Sequence, residues 1–142
     1  MTTIVADFRA GVMVSESKVS AGDVWFPATK IVRHKDELIG CAGEAHMEEA
    51  WLNWYQGGRK GKAPSDEGLQ VLILRKTGLV YVDTNSTEIL ITRAFHAIGS
   101  GAPAALGAML AGKTAEEAVA IGILVDPCSG GDIQVFSLKE KA

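Results

Sequence analysis

The chain opens with short β-branched runs separated by polar turns. Residues 3–6 and 12–15 flank Arg9-Ala10-Gly11, which predicts a strand hairpin. Residues 30–33 and 38–42 predict a second pair, joined through His34-Lys35-Asp36-Glu37. The period then changes. Met47, Ala50, Trp51, Trp54 and Tyr55 fall at i, i+3, i+4, i+7 and i+8, the spacing of one helical face. Gly57-Gly58 stops that helix, and residues 56–68, rich in Gly, Lys and Ser, read as a mobile loop.

Strands return after the loop. Residues 69–75 and 79–83 flank a turn at Thr77-Gly78, and residues 88–92 and 94–98 continue the sheet. Gly99-Ser100-Gly101 breaks it. Pro103 suits the first turn of a helix, and residues 104–111 are nearly all apolar, which predicts a buried helix ended by Gly112. Thr114 and Glu117 form a capping box for a further helix to about Val125. Residues 133–138 read as a last strand. This order implies sheets covered by helices, not the βαβ alternation of a doubly wound fold.

Composition narrows the function classes. A chain of 142 residues is read as a single domain, 1–142, with 47% apolar and 22% charged residues. Net charge is -3, and the one basic cluster, Arg59-Lys60-Gly61-Lys62, reads as a solvated loop, so no nucleic-acid partner is expected. No run approaches the ~18 apolar residues of a membrane helix, and no signal peptide is read. Cys41 and Cys128 form no C-x-x-C pair and read as reduced thiols of a cytoplasmic protein. His46, Glu48 and Glu49 lie along an amphipathic helix and read as a solvated face, not a metal site. No cofactor is expected.

The candidate chemistry lies at the two ends. The chain starts Met1-Thr2-Thr3-Ile4-Val5. Removal of Met1 would leave Thr2 with a free amine beside its own hydroxyl, a self-contained base and nucleophile. Near the other end, Asp126-Pro127-Cys128-Ser129-Gly130-Gly131 is a turn able to hold such an amine by hydrogen bonds. Read plainly, the same turn is a helix end with Gly130 at positive φ.

These ends, with the segments between them, resemble the proteasome β-subunit family, including the bacterial double-ring relative that works with an ATPase. The resemblance runs from Thr2 to about Leu138. Glu16-Ser17-Lys18-Val19-Ser20 is similar to the acidic segment after the first hairpin. Lys30 stands where the family keeps its active-site lysine. Gly40-Cys41-Ala42-Gly43 is similar to the strand that supplies an oxyanion donor, and Ala97-Ile98-Gly99-Ser100-Gly101 to the Gly-Ser-Gly before a helix.

The resemblance implies a four-layer αββα sandwich of two mainly antiparallel sheets, the N-terminal nucleophile hydrolase architecture. It implies a threonine endopeptidase acting on peptides or unfolded proteins, with Thr2, Glu16, Lys30, Gly40, Ser100, Asp126 and Ser129 at its site. Gly40 N–H is the expected oxyanion donor. The family also implies a homo-oligomeric ring with an ATPase unfoldase as partner, and Trp51 and Trp54 are candidate contact residues. The chain departs from the pattern in a shorter first hairpin and in the absence of a second helix after the Gly-containing strand, where residues 57–68 stand instead. That absence supports an alternative, a catalytically silent assembly subunit. A second alternative is a nucleotide-binding module using Gly99-Ser100-Gly101, which lies between a strand and a helix. Against it stand Pro103, which lacks an N–H, and the absence of a Gly-Lys-Ser/Thr.

Overall fold

A computed structural model describes residues 2–65 and 67–139. Its strands are β1 (Ile4–Asp7), β2 (Val12–Ser15), β3 (Lys18–Ala21), β4 (Val24–Pro27), β5 (Ile31–His34), β6 (Glu37–Ala42), β7 (Gln70–Arg75), β8 (Gly78–Asp83), β9 (Thr87–Ile91), β10 (Phe95–Ile98) and β11 (Gln134–Ser137). Its helices are α1 (Ala45–Gln56), α2 (Ala102–Leu110) and α3 (Ala115–Val125). One sheet runs β10-β1-β2-β11 and the other β5-β6-β7-β8-β9, while β3 and β4 form a separate hairpin. Every strand pair is antiparallel.

Successive side chains of a strand point to opposite faces, and here both faces of the central strands are apolar. Ile4, Ala6, Met13, Leu38, Leu72, Leu74 and Ile98 fill the space between the two sheets. The alternate residues Ile39, Cys41, Val71, Ile73, Val80 and Val82 face outward and are covered by Trp51 and Tyr55 of α1. On the other sheet, Val5, Val14 and Ala97 face Ala105, Ala108 and Met109 of α2 and Ala118 and Val119 of α3. Three apolar seams thus separate four layers, αββα, with a single helix on the Trp51 side among the described residues.

The structure corrects several expectations. Helix α2 is not buried all round: Ala105, Ala108 and Met109 are inside, but Leu110 is 65% exposed. Its small inner residues let it lie close to the sheet and to α3, which leaves its outer apolar face uncovered. Trp51 cannot supply an intersubunit contact as expected, because it is buried against the sheet, while Trp54 packs beside it and stays partly exposed. Residues 57–61 are tied down: Trp54 Nε1 donates to Gly61 O, and the Arg59 guanidinium lies over the Tyr55 ring and pairs with Glu88. The β3–β4 hairpin is an element the apolar pattern does not announce. Every residue of its strand β4 is exposed, Val24, Trp25 and Phe26 included.

Candidate active site

Thr2 and Thr3 are buried at the start of β1, at one end of the sandwich. Glycines make room for them. A Cβ on Gly99 would stand 2.0 Å from the Thr2 carbonyl oxygen, and one on Gly101 would stand 1.8 Å from Thr3 Oγ1. Gly99 also has φ +95°, a conformation that favours glycine. Gly101 N donates to Thr2 O, so the Gly-Ser-Gly turn is occupied by residues 2 and 3 of the chain itself. That turn has no open cradle for a phosphate, and the nucleotide-binding reading is set aside.

The carboxylate of Glu16 is fully buried and surrounded by donors. Its Oε1 accepts from Thr3 N at 3.2 Å and from Lys30 Nζ at 2.6 Å. Its Oε2 accepts from Lys18 N and Gly130 N, each at 3.0 Å. Lys30 Nζ in turn donates to Lys18 O at 2.6 Å and to Thr2 Oγ1 at 3.2 Å. The ammonium is therefore fixed by a carboxylate and a carbonyl, with a third donor directed at the Thr2 hydroxyl. Buried charges need this kind of full pairing.

A second chain of hydrogen bonds reaches the Thr2 nitrogen. Thr2 N donates to Ser100 Oγ at 3.2 Å, and Ser100 Oγ donates to Asp126 Oδ2 at 2.6 Å. Ser129 Oγ donates to the same oxygen at 2.6 Å, and Cys128 N donates to Oδ1 at 3.1 Å. Burial works to raise the Asp126 carboxyl, but these donors, Ser100 first, outweigh it and hold it below the ordinary aspartate range. With its own hydrogen given to Asp126, Ser129 accepts from Thr3 Oγ1 at 2.7 Å.

Thr2, Lys30 and Ser100 open onto a cleft of about 940 Å³. Lys18, Val19 and Ser20 of β3 form one side, and Ala42, Gly43, Ala45 and Glu48 form the other. The structure thus brings Thr2, Glu16, Lys30, Ser100, Asp126 and Ser129 into one polar cluster. It does not bring Gly40 there. Gly40 lies inside its sheet between Ile31 and Leu72, with the Ile4 and Met13 side chains against its Cα. The glycine that lines the cleft is Gly43, at φ +152°, just before α1. Met1 lies outside the described residues.

Sequence reasoning also missed Thr3, whose hydroxyl and amide join the two halves of the cluster, and Gly122. A Cβ on Gly122 would stand 2.7 Å from Thr3 Cγ2. A glycine inside an apolar helix is the signal that marks such a close approach.

No protein-family model matches this sequence, and no curated protein matches it. Solved structures do. Thiobacillus denitrificans BPH superposes with TM-score 0.72 at 20% identity, covering 99% of this chain and 99% of that one. The same protein in complex with epoxomicin superposes at 0.68, with 20% identity and coverage of 98% and 100%. Eukaryotic HslV from Trypanosoma brucei superposes at 0.66, again at 20% identity, covering 96% and 99%. The chain has the fold of these proteasome-like structures over essentially its whole length.

Proposed function

We propose that this protein is a threonine peptidase in which Thr2, freed by removal of Met1, attacks peptide bonds with its own α-amine as base. The observation that carries the reading is the double hold on one residue. Lys30 is aimed at the Thr2 hydroxyl, while Ser100 and Asp126 hold the Thr2 nitrogen.

An α-amine titrates near ~7.7–8.0, so part of it is neutral at neutral pH. A free amine at this position keeps an N–H for Ser100 and has a lone pair for the hydroxyl proton. The Lys30 ammonium favours the developing alkoxide. Thr2 Oγ1 then bonds to the substrate carbonyl carbon. The negative charge that grows on the carbonyl oxygen needs a backbone donor, a role we assign to Gly43 in place of Gly40. Collapse breaks the C–N bond as the proton passes from the Thr2 amine to the departing amine. Water hydrolyses the Thr2 ester and restores the site. We take the working form to be a homo-oligomeric ring served by an ATPase unfoldase, because an open peptidase site needs confinement.

The test is hydrolysis of fluorogenic peptides by the trimmed protein. Thr2→Ala should lower turnover by ~10³-fold or more, with the melting temperature nearly unchanged. Wild-type-like hydrolysis by Thr2→Ala would sink the mechanism, and no hydrolysis by the trimmed wild-type protein would favour the silent-subunit reading.

A further inference from the structure

The Gly99-Ser100-Gly101 turn holds the Thr2 nitrogen, yet two of its three residues are glycines, which give a chain its greatest conformational freedom. Within its own sheet the turn begins where pairing ends, because β10 pairs with β1 as far as Ile98 opposite Ile4. Gly99 N is the first amide beyond that ladder, and it donates to Gln70 Oε1 at 2.9 Å. Gln70 is the first residue of β7, in the other sheet, half-buried beside the cleft. This is the one hydrogen bond between the turn and the five-stranded sheet among the described residues.

We propose that Gln70 is a positioning residue for the threonine: its side-chain oxygen fixes the Gly99-Ser100-Gly101 turn and, through Ser100, the Thr2 nitrogen. The inference rests on the Thr2 reading. A backbone N–H only donates, so the oxygen of the Gln70 amide, and not its nitrogen, must face Gly99. Gly99 is packed so closely on Thr2 that a Cβ there would stand 2.0 Å from Thr2 O, and Gly101 N donates to that same oxygen. A shift of the turn is therefore passed to Thr2.

The arrangement gives the two reacting groups of Thr2 a common reference. Lys30 directly precedes β5 and donates to Thr2 Oγ1, while Gln70 opens β7 and reaches Thr2 N through Gly99 and Ser100. Both strands belong to the five-stranded sheet, whereas Thr2 lies just before β1 in the other sheet. Hydroxyl and amine are thus both held against one body that Thr2 itself is not part of. Without the Gln70 oxygen, the turn is held by Thr2 and Asp126 but has no hydrogen bond to that body. Loss of orientation costs rate, and it leaves peptide affinity largely untouched.

The experiment compares wild type with Gln70→Met, which keeps the length but has no oxygen, and with Gln70→Glu, which keeps the acceptor. Hydrolysis of one fluorogenic peptide is measured for each protein at the pH of its own maximum, so that the charge added by the glutamate does not enter. Gln70→Met should lower kcat about tenfold, less than the ~10²-fold loss that a misplacement of about 1 Å brings. Its KM should stay within about twofold of wild type and its melting temperature nearly unchanged, and Gln70→Glu should restore kcat to within about threefold. In parallel, hydrogen exchange of the Gly99 amide is followed by mass spectrometry, which needs no hydrolysis. It should be faster in Gln70→Met than in wild type or Gln70→Glu. If Gln70→Met does not fold, Gln70→Asn takes its place, since its amide is one methylene too short to reach Gly99. Wild-type kcat in Gln70→Met, a loss confined to KM, equal Gly99 exchange, or a Gln70→Glu protein as slow as Gln70→Met overturns the inference and leaves the threonine mechanism standing. If wild type hydrolyses nothing, the Thr2 reading falls and exchange alone decides: faster exchange in Gln70→Met upholds the hold on the turn, and equal exchange overturns that as well.

Discussion

At the scale of single residues, the site depends on two carboxylates that are buried for different purposes. Glu16 has four donors, and Lys30 has no other carboxylate within its ion-pair distance among the described residues. Glu16→Ala should therefore cost about 3–5 kcal/mol, because it leaves a buried ammonium without its counter-charge. By calorimetry the melting temperature should fall by roughly 10 °C or more. Asp126 is held in its ionised form, so its contribution to stability is complete above the ordinary aspartate pKa and is lost as pH falls through the lowered value. Asp126→Asn should remove that part of the acid limb, seen as a flatter melting temperature against pH below about pH 4. Much of this cluster is legible in the sequence, Thr2 and the Asp126–Ser129 turn because they fit a stated chemical need, and Lys30 through the family resemblance. Gly40 is not, because Gly40 and Gly43 are indistinguishable without register. Only strand pairing shows that Gly40 is enclosed between Ile31 and Leu72 while Gly43 faces the cleft.

At the scale of elements, the turn between β10 and α2 and the start of β1 fit each other with no spare space. Gly101→Ala places a methyl on the Thr3 side chain, and Thr3 cannot withdraw because its hydroxyl is bonded to Ser129. The substitution should displace the chain start and lower peptide hydrolysis by ~10²-fold, since misplacement of reacting groups by about 1 Å is enough for such a loss. Helix α3 offers the contrast. Its capping box is complete, with Thr114 Oγ1 accepting from Glu117 N and Glu117 Oε1 accepting from Thr114 N. Thr114→Ala should cost ~1 kcal/mol in urea unfolding with no change in the slope, and hydrolysis should be unaffected. The capping box is plain in the sequence because it is local. The β3–β4 hairpin is harder to see, because exposure of Val24, Trp25 and Phe26 removes the apolar–polar alternation that marks a half-buried strand. Its one local signal is Gly22-Asp23 between two runs of strand-forming residues.

At the scale of the whole molecule, the layer order follows from period: two-sided apolar strands demand cover on both faces, and the helices supply it. What sequence alone misplaces is the outer surface. Leu110, Leu124 and Val125 of the α2–α3 layer and Val24, Trp25 and Phe26 of β4 are exposed, while Trp51 is inside. Apolar composition does not tell a covered face from an open one. If the protein works as a ring, these exposed residues are the natural contacts between copies. Light scattering should give a multiple of the 15.0 kDa chain mass, and a monomer at micromolar concentration would favour the silent-subunit reading. The central claim is narrower. With Met1 attached, the Thr2 nitrogen is an amide whose lone pair is delocalised into the carbonyl and is not accessible to the hydroxyl proton. The direct measurement is intact mass after treatment with epoxomicin, whose epoxyketone group reacts with both a hydroxyl and a free amine, on trimmed and Met1-retaining protein side by side. The account predicts one adduct on the trimmed form and none on the other. Equal labelling of both forms, or a fully trimmed protein that never labels, would contradict it.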